Sequence, residues 1–435
     1  MQLRLSRVPD ATLSEVKFGG KDNPSAVYYL TKSIGLPHGE RILFDGYITK
    51  FKGKEADFFH RFFKNFGIRD LIEEAQSWDG CWSIIYINSN GVVYCFTDPL
   101  GKKQLYYNRR GDICSSIWPI RNNSDLDPLY LGEIHKWGYN VDDLTPFHDV
   151  RRIMPNRLYM FVSGVLQNAD PQRYFDFHWG SGSLDPSGFR TLVNYSVEEY
   201  LSGITGAKSI AVLLSGGIDS SVISYELLRL KESGRVLKDV NLNFYTINNQ
   251  DDAPFVKIFA DTFGIKVKTL SYDMDKVNLF NSMYINETPV DLGSMVPNQK
   301  MFEAIPEKVI FTGDGPDEMF GGYRRIDEYD SQRSDVFHEL AFYHCPRLEK
   351  AASYFGKDLR CPWLSYDILR YALSLPLAER KHKACIKEAY AGLIPSEIIN
   401  RPKLPLKNDK LRADPMGYRK ELIQKFEELT NRPTC

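Results

Sequence analysis

The sequence predicts two domains, an α+β layered domain followed by an α/β domain built on a parallel sheet. The chain has 435 residues, more than one hydrophobic core usually organises. Short strand-like segments separated by turn residues fill its first half, whereas strand-like and helix-like patterns alternate in its second half. A polar, turn-rich stretch at 179–188 lies between these patterns. We therefore expect domains at residues 1–180 and 190–435.

The first domain is predicted to be rich in short strands, because β-branched and aromatic residues recur between turn-forming residues. One helix is expected among them, over Glu55–Phe66, so that helix and sheet form separate layers. The strands are predicted at Arg41–Tyr47, Trp82–Ile87, Gly91–Thr97, Gln104–Tyr107 and Arg157–Val162.

The second domain is predicted to contain a parallel sheet, because strands alternate with helices that can cross between them. Ser209–Leu214 has the nearly unbroken apolar run of a strand that is buried on both faces. From Asp335 onward the pattern is mostly helical. The other strands are predicted at Val240–Ile247, Val267–Ser271 and Lys308–Thr312, and the helices at Asp219–Lys231, Pro254–Phe263 and Gln299–Ile305.

The composition excludes several classes of protein. A formal net charge of -1 gives no global field that would attract nucleic acid. No window approaches the run of ~20 apolar residues that spans a membrane, and the first residues lack a signal-peptide core. The seven cysteines are scattered and never spaced C-x-x-C, which argues against a disulfide framework or a zinc site. We expect a cytoplasmic protein without membrane or nucleic-acid partners, and the sequence leaves a homodimer open.

The stretch Leu214–Ser221 (LSGGIDSS) predicts a phosphate-binding loop between a buried strand and a helix. Adjacent glycines let backbone N–H groups approach an anion, and the positive end of the helix points to the same place. Asp219 would repel an anion unless it binds a cation, so it is a candidate Mg²⁺ ligand. The motif is not the P-loop of kinases and GTPases, because no G-x-x-x-x-G-K-S/T occurs in the chain.

A second acidic, glycine-rich turn, Gly313–Tyr323 (GDGPDEMFGGY), follows the predicted strand Lys308–Thr312. The carboxyl ends of parallel strands meet at one edge of a sheet, where such folds bind their ligands. Asp317 is therefore expected near Asp219, where the two carboxylates would share one Mg²⁺ ion.

These motifs resemble those of the asparagine synthetase B family, which includes asparagine synthetases, β-lactam synthetases and lasso-peptide cyclases. The first motif is similar to the PP-loop of ATP pyrophosphatases, which cleave ATP between its α- and β-phosphates. Later segments resemble the family's R-x-P-F-L-D, L-S-L-P, K-x-x-L-R-E-A and R-x-K motifs in order. They are Arg360–Ser365, Leu373–Pro376, Lys383–Ala389 and Arg401–Lys403.

The resemblance implies an adenine nucleotide α-hydrolase-like PP-loop fold, with ATP and Mg²⁺ as cofactors. It also implies roles for the matching residues. Asp314 is expected to act as a base toward the incoming amine or to orient it, whereas Glu318 and Arg360 are expected in structural salt bridges. The remaining implied roles are pyrophosphate binding by Ser215, Gly216, Gly217, Ser220 and Ser221, AMP binding by Leu213, Ile247, Thr312 and Gly313, Mg²⁺ binding by Asp219 and Asp317, and charge stabilisation by Lys383 and Lys403.

The first domain resembles the family's glutaminase, an Ntn-hydrolase-like domain, over Phe44–Ile48, Asp79–Ile84 and Asp98–Tyr107. In the family the nucleophile is a cysteine that follows the initiator methionine. Here Met1 is followed by Gln2, the first cysteine is Cys81, and Asp45 stands where the family has a carboxamide-binding Asn. Without a thiolate, glutamine hydrolysis has no nucleophile. We therefore expect a degenerate domain that keeps the fold and has lost the glutaminase.

The expected function is an ATP-dependent amide-forming ligase that adenylates a carboxylate and transfers it to an amine or ammonia without hydrolysing glutamine. An alternative is an intramolecular cyclase that closes an amide ring, as β-lactam synthetases and lasso-peptide cyclases do. An asparagine synthetase proper and a non-catalytic pseudoenzyme are the less favoured interpretations. The sequence does not identify the carboxylate or the amine.

Overall fold

The structure is a computed structural model that describes residues 14–20, 23–29, 32–49, 51, 55–122, 125–167, 171, 173–175, 185–204, 206–234, 236–273, 276–289, 291–322, 333–402 and 415–430. In this part of the chain it has a mixed α/β fold with two sheets in the first half and one in the second. No helix within these ranges is long and apolar enough to cross a membrane.

The first half forms a five-stranded sheet of order β1-β2-β8-β7-β9 and a six-stranded sheet of order β11-β10-β6-β5-β4-β3. The strands are β1 (Ser14–Gly20), β2 (Asn23–Tyr29), β3 (Lys32–Gly35), β4 (Arg41–Ile48), β5 (Gly80–Ile87), β6 (Val93–Thr97), β7 (Tyr106–Asn108), β8 (Ile113–Cys114), β9 (Val150–Arg152), β10 (Tyr159–Val162) and β11 (Val165–Leu166). The helices are α1 (Glu55–Phe62), α2 (Ile68–Ala75) and α3 (Pro128–Trp137).

All five strands predicted for the first half are present, with shifted ends. The predicted helix Glu55–Phe66 was too long, because α1 ends at Phe62 and α2 follows after a turn. Gly67 is the N-cap of α2, and its backbone N–H donates to the carboxylate of Asp70 at 2.7 Å. This bond caps the first turn of α2, a separate helix that lies beyond the predicted one and was not expected from the sequence.

The second half contains a parallel five-stranded sheet of order β14-β13-β12-β15-β16, which confirms the predicted architecture. The chain winds from β12 to β14 on one side and then returns to β15 on the other, so a topological switch point lies between β12 and β15. The elements are α4 (Pro186–Tyr200), β12 (Ser209–Leu213), α5 (Ile218–Glu232), β13 (Asn241–Ile247), α6 (Ala253–Phe263), β14 (Val267–Leu270), α7 (Leu279–Asn286), α8 (Leu292–Ala304), β15 (Val309–Phe311), α9 (Pro316–Met319), α10 (Arg333–Glu339), α11 (Cys345–Tyr354), β16 (Asp358–Arg360), α12 (Tyr366–Ser374), α13 (Leu377–Arg380), α14 (Ala384–Ala389), α15 (Ser396–Ile399) and α16 (Pro415–Thr430).

Two elements of the second half differ from the sequence prediction. The helix predicted at Gln299–Ile305 begins earlier, because α8 continues through Pro297, whose missing N–H normally ends a helix. Burial of its neighbours Met295 and Val296 outweighs that local penalty. The strand β16 was not predicted, since three residues with two charges carry no strand pattern.

The two halves of the chain pack against each other. One cluster of buried residues includes Phe44 and Trp82 from the first half together with Val212 and Ile310 from the second. The Tyr47 hydroxyl also donates to the backbone carbonyl of Leu359, at 3.0 Å. The first half is therefore part of the support of the parallel sheet. Of the proposed boundary stretch 179–188, residues 179–184 lie outside the described residues.

Candidate active site

The predicted phosphate-binding stretch Leu214–Ser221 consists of a loop, Leu214–Gly217, and the first residues of α5; this loop, called the phosphate loop below after its predicted role, joins β12 to α5 at the carboxyl edge of the sheet. The hydroxyls of Ser215 and Ser220 lie 3.0 Å apart, and the backbone N–H of Ser215 donates to the Ser220 hydroxyl at 3.1 Å. Gly217 is the N-cap of α5. The hydroxyls thus converge at the positive end of a four-turn helix, where an anion is favoured. Ser221, predicted to join them, is fully buried.

Two glycines let the loops approach other segments closely. Gly216 has a φ of 69°, and a Cβ there would lie 2.8 Å from the Cβ of Phe255 on α6. A Cβ on Gly313, just after β15, would lie 2.5 Å from the backbone nitrogen of Ser220. Because no side chain fits at either place, glycine is required where the first motif meets α6 and where the second motif meets the first.

The two predicted metal ligands meet at one ammonium group. The Lys383 Nζ lies 2.5 Å from Asp219 Oδ2 and 2.5 Å from Asp317 Oδ1. All three side chains are largely buried, between 7% and 14% exposed. Burial by itself lowers the pKa of Lys383, but the two carboxylates outweigh it and raise that pKa above its ordinary value. The lysine is therefore a fixed cation between the two motifs.

The backbone around Lys383 is held by the second motif. Lys383 has a φ of 58° and His382 a φ of 56°, conformations that L-residues rarely adopt. Their N–H groups donate to the carbonyls of Phe320 and Gly321, at 2.8 and 2.9 Å. These two bonds stabilise the unusual turn and aim the lysine at the aspartates. Such strain is typical of functional sites.

The two carboxylates fit a Mg²⁺ ion that is also bound by a nucleotide. Their oxygens contact the same cationic atom, so they already converge on one cation position. Among the described residues no group of three or more His, Cys, Asp or Glu side chains could hold a metal. Mg²⁺ commonly takes one or two protein carboxylates and completes its shell with phosphates and water. Asp219 and Asp317 match that requirement.

Two residues that support these aspartates were not expected from the sequence. The indole Nε1 of Trp363 donates to the backbone carbonyl of Asp219 at 3.1 Å, and its ring is fully buried. A Cβ on Gly322 would lie 1.9 Å from Asp317 Oδ1. Trp363 lies in the segment that resembles R-x-P-F-L-D, and Gly322 in the glycine-rich turn. Their places in these motifs are the sequence signal that could have identified Trp363 and Gly322. The motifs do not indicate that the two residues contact Asp219 and Asp317.

The residues predicted to contact AMP lie at strand ends. Leu213 ends β12, Ile247 ends β13, and Thr312 follows β15 with its N–H bonded to the Arg360 carbonyl at 3.0 Å. Ile247 borders a mostly apolar cavity of about 170 Å³ between the ends of β13 and β14 and helix α8. The half-buried Asp314 accepts a hydrogen bond from the Thr312 hydroxyl.

The salt bridge predicted for Arg360 is present, whereas Glu318 contacts a histidine. Arg360 pairs with Asp358 at 2.7 Å. Glu318 lies 3.0 Å from the Nδ1 of His344. Burial, with a contribution from the neighbouring Asp317 carboxylate, raises the pKa of Glu318 to about 8. Lys403, the other predicted catalytic lysine, lies outside the described residues.

Two lysines of the first half are buried against the second half. The Lys102 ammonium lies 3.2 Å from the carbonyl of Leu364 and 2.6 Å from that of Gly80. Lys103 forms an ion pair with Glu349 of α11, and Asp45 lies 3.7 Å from the same ammonium. Asp45, expected in place of a glutamine-binding Asn, is thus part of an ion network between the halves.

Comparison with known proteins adds evidence on the family to which the chain belongs. The asparagine synthase family matches residues 189–353 and 331–432. A glutamine-hydrolyzing asparagine synthetase of Pongo abelii is 25% identical over 238 residues, which cover 50% of this chain and 42% of that protein. The corresponding enzyme of Gallus gallus is 23% identical over 373 residues, 77% of this chain and 64% of that protein. A putative asparagine synthetase from Methanocaldococcus jannaschii is 23% identical over 378 residues, which cover 79% of this chain and 62% of that protein.

The matched region spans 42% to 64% of the length of these three relatives. Among solved structures, the U34-tRNA thiolase NcsA from Methanococcus maripaludis matches 57% of this chain and 81% of that chain at 15% identity. Its TM-score of 0.24 is too low to support an argument. The family match covers more than half of the chain. The protein therefore belongs to the asparagine synthase family.

Proposed function

We propose that the protein is an ATP-dependent ligase that activates a carboxylate as an acyl-adenylate and passes the acyl group to an amine or ammonia. In the first step a carboxylate oxygen bonds to the α-phosphorus, and the bond to pyrophosphate breaks. In the second step the nitrogen lone pair attacks the acyl carbon, and AMP leaves. The observation that carries the proposal is the meeting of Lys383, Asp219 and Asp317 beside the phosphate loop.

The proposed roles follow from position. Asp314 accepts a proton from the nucleophile or orients it, and Lys383 and Lys403 supply positive charge to the phosphates and the reacting acyl group. Asp219 and Asp317 would hold Mg²⁺, whose charge would neutralise the pyrophosphate. Pyrophosphate is held by Ser215, Gly216, Gly217, Ser220 and Ser221, and AMP by Leu213, Ile247, Thr312 and Gly313.

The reaction is proposed to proceed without glutamine. The three cysteines of the first half, Cys81, Cys95 and Cys114, are buried, and burial raises the pKa of each thiol. None of them is therefore a thiolate at neutral pH. The protein is expected to release no glutamate from glutamine, and robust release would contradict this part of the proposal.

The decisive experiment is pyrophosphate exchange into ATP with a panel of acids, including aspartate and peptides. Exchange with aspartate alone would identify an ammonia-dependent asparagine synthetase. Exchange only with a larger acid that carries its own amine favours the second candidate, an intramolecular cyclase. The nucleotide product must be AMP, and formation of ADP would refute the mechanism.

Further proposals concern the folds of the two halves and the cellular location of the protein. We propose a PP-loop-like fold for residues 190–435 and a degenerate, Ntn-hydrolase-like fold for residues 1–180. We also propose a cytoplasmic location, because the six described cysteines are free. The buried ion network of Lys103, Asp45 and Glu349 supports a structural role for the first half.

A further inference from the structure

Arg401 connects the phosphate loop to the start of α6. Its Nη1 donates to the backbone carbonyl of Ser215 at 3.1 Å. Its Nη2 donates to the carbonyl of Asp251 at 3.3 Å and forms an ion pair with the carboxylate of Asp252. The guanidinium also lies over the ring of Phe255, 4.3 Å from its centroid. The side chain is 7% exposed, so one cation satisfies acceptors from two segments.

The contact with Ser215 sets the orientation of one peptide in the loop. The Ser215–Gly216 peptide is trans, so its carbonyl and its N–H point in opposite directions. Because Arg401 holds the Ser215 carbonyl on the α6 side, the N–H of Gly216 is turned to the other side of the loop. Backbone N–H groups that face one space in this way form an anion-binding nest.

The contact with Asp252 removes a charge that would oppose an anion. Asp252 is the N-cap of α6, the helix whose residues Phe255 and Val256 lie against Gly216. An unpaired carboxylate so close to the loop would repel phosphate. A guanidinium can pair with a carboxylate and bond a carbonyl at once, because its donors lie in a rigid planar fork. Lysine offers a single charged atom and cannot reproduce this arrangement.

We propose that Arg401 is a positioning residue that orients the phosphate loop for the pyrophosphate portion of ATP. It acts through Ser215 and Asp252 rather than by touching the nucleotide. The inference rests on the proposed function and adds a specific expectation to it. Loss of Arg401 weakens ligands that carry a β-phosphate and spares those held at the strand ends.

The test is calorimetric binding of Mg·ATP, Mg·pyrophosphate and AMP to the full chain and to Arg401→Gln. The dissociation constants of Mg·ATP and Mg·pyrophosphate are expected to rise by roughly tenfold or more, the size of a lost charged hydrogen bond. The dissociation constant of AMP is expected to stay within about twofold. Arg401→Lys should bind pyrophosphate with an intermediate constant, and it remains a test if the Gln variant does not fold.

Arg370→Gln is the matched control. Arg370 also pairs with an aspartate, Asp367 at 2.9 Å, and lies over a phenylalanine, Phe175 at 5.3 Å. Its described partners belong to segments other than the phosphate loop, so its binding constants should equal those of the wild type. Unchanged pyrophosphate binding in Arg401→Gln, or equal weakening of all three ligands, would overturn the inference. Failure of the wild type to bind Mg·ATP would instead overturn the proposed function.

Discussion

The Lys383 ammonium lies 2.5 Å from Asp219 Oδ2, although 164 positions separate the two residues in the chain. The same nitrogen contacts Asp317, so it stands between the two carboxylates proposed to bind Mg²⁺. Replacing Lys383 by Met would leave two partly buried carboxylates facing each other. We expect unfolding free energy to fall by about 3 kcal/mol and pyrophosphate exchange to fall by at least ~100-fold.

Magnesium should distinguish this explanation from a general loss of packing. With the ammonium gone, added Mg²⁺ can take its place, so it should raise the melting temperature of Lys383→Met more than that of the wild type. Thermal unfolding with and without Mg²⁺ measures this. The exposed neighbour Lys381 serves as the control, and Lys381→Met should behave as the wild type does. Equal shifts in all three proteins would contradict the prediction.

Gly313→Ala should damage the site by steric overlap. The new methyl group would lie 2.5 Å from the Ser220 nitrogen, and overpacking of this kind typically costs 1–3 kcal/mol. Affinity for Mg·ATP should fall with stability, as calorimetry and thermal melting can measure. Gly132→Ala is the control, because nothing lies within 4 Å of its Cβ position in α3. That change should leave binding intact and raise stability by up to ~1 kcal/mol.

Lys103→Met should destabilise the protein without touching the proposed chemistry. It leaves the Glu349 carboxylate buried beside Asp45 with no cation, which costs about 3–5 kcal/mol when a buried pair loses one partner. Adding Glu349→Gln should restore part of that loss, so a double-mutant cycle by urea denaturation should give a coupling above ~1 kcal/mol. For the exposed pair Lys257–Asp261, Lys257→Met should change stability by less than ~0.5 kcal/mol. Additive effects at Lys103 and Glu349 would argue against the ion pair.

Cys385 should resist alkylation in the folded protein. Burial raises the pKa of its thiol to about 12, from an ordinary value near 9. The folded state therefore keeps the proton, and at pH 8 only about one thiol in 10⁴ is ionised. The rate of reaction with iodoacetamide should rise about tenfold per pH unit above pH 8. Peptide mapping by mass spectrometry measures it, and a native rate equal to that in urea would contradict the shift.

The strand, loop and helix around the predicted phosphate loop could be recognised from the sequence because their signal is local. A buried strand, two glycines and a helix start fall within 24 residues, from Ser209 to Glu232. The proximity of Asp219 and Asp317 was expected from the shared edge of the sheet. The place of Lys383 at this site could be anticipated only through the resemblance, since no short-range pattern encodes a contact between segments so far apart in the chain. The left-handed turn at His382 and Lys383 is likewise set by hydrogen bonds to the second motif.

The buried lysines show why contacts between the two halves could not be predicted from the sequence. Lys102 and Lys103 are adjacent in the sequence, and lysine is almost never fully buried unless it is paired. Their partners Leu364 and Glu349 lie more than 240 residues further along the chain. Arg401 was noted as part of a motif, but its contacts with Ser215 and Asp252 depend on how α6 packs against the loop.

Lys102 and Lys103, which lie between the two halves, also affect whether the second half can be expressed alone. Expression of residues 189–432 alone would keep the whole family match and discard the first half. Glu349 and the Leu364 carbonyl would then lose their cationic partners, and the Leu359 carbonyl would lose the Tyr47 hydroxyl. Such a fragment should be insoluble or bind nucleotide poorly. If the first half has the degenerate fold proposed above, its packing against the parallel sheet is a physical reason for keeping it in the chain.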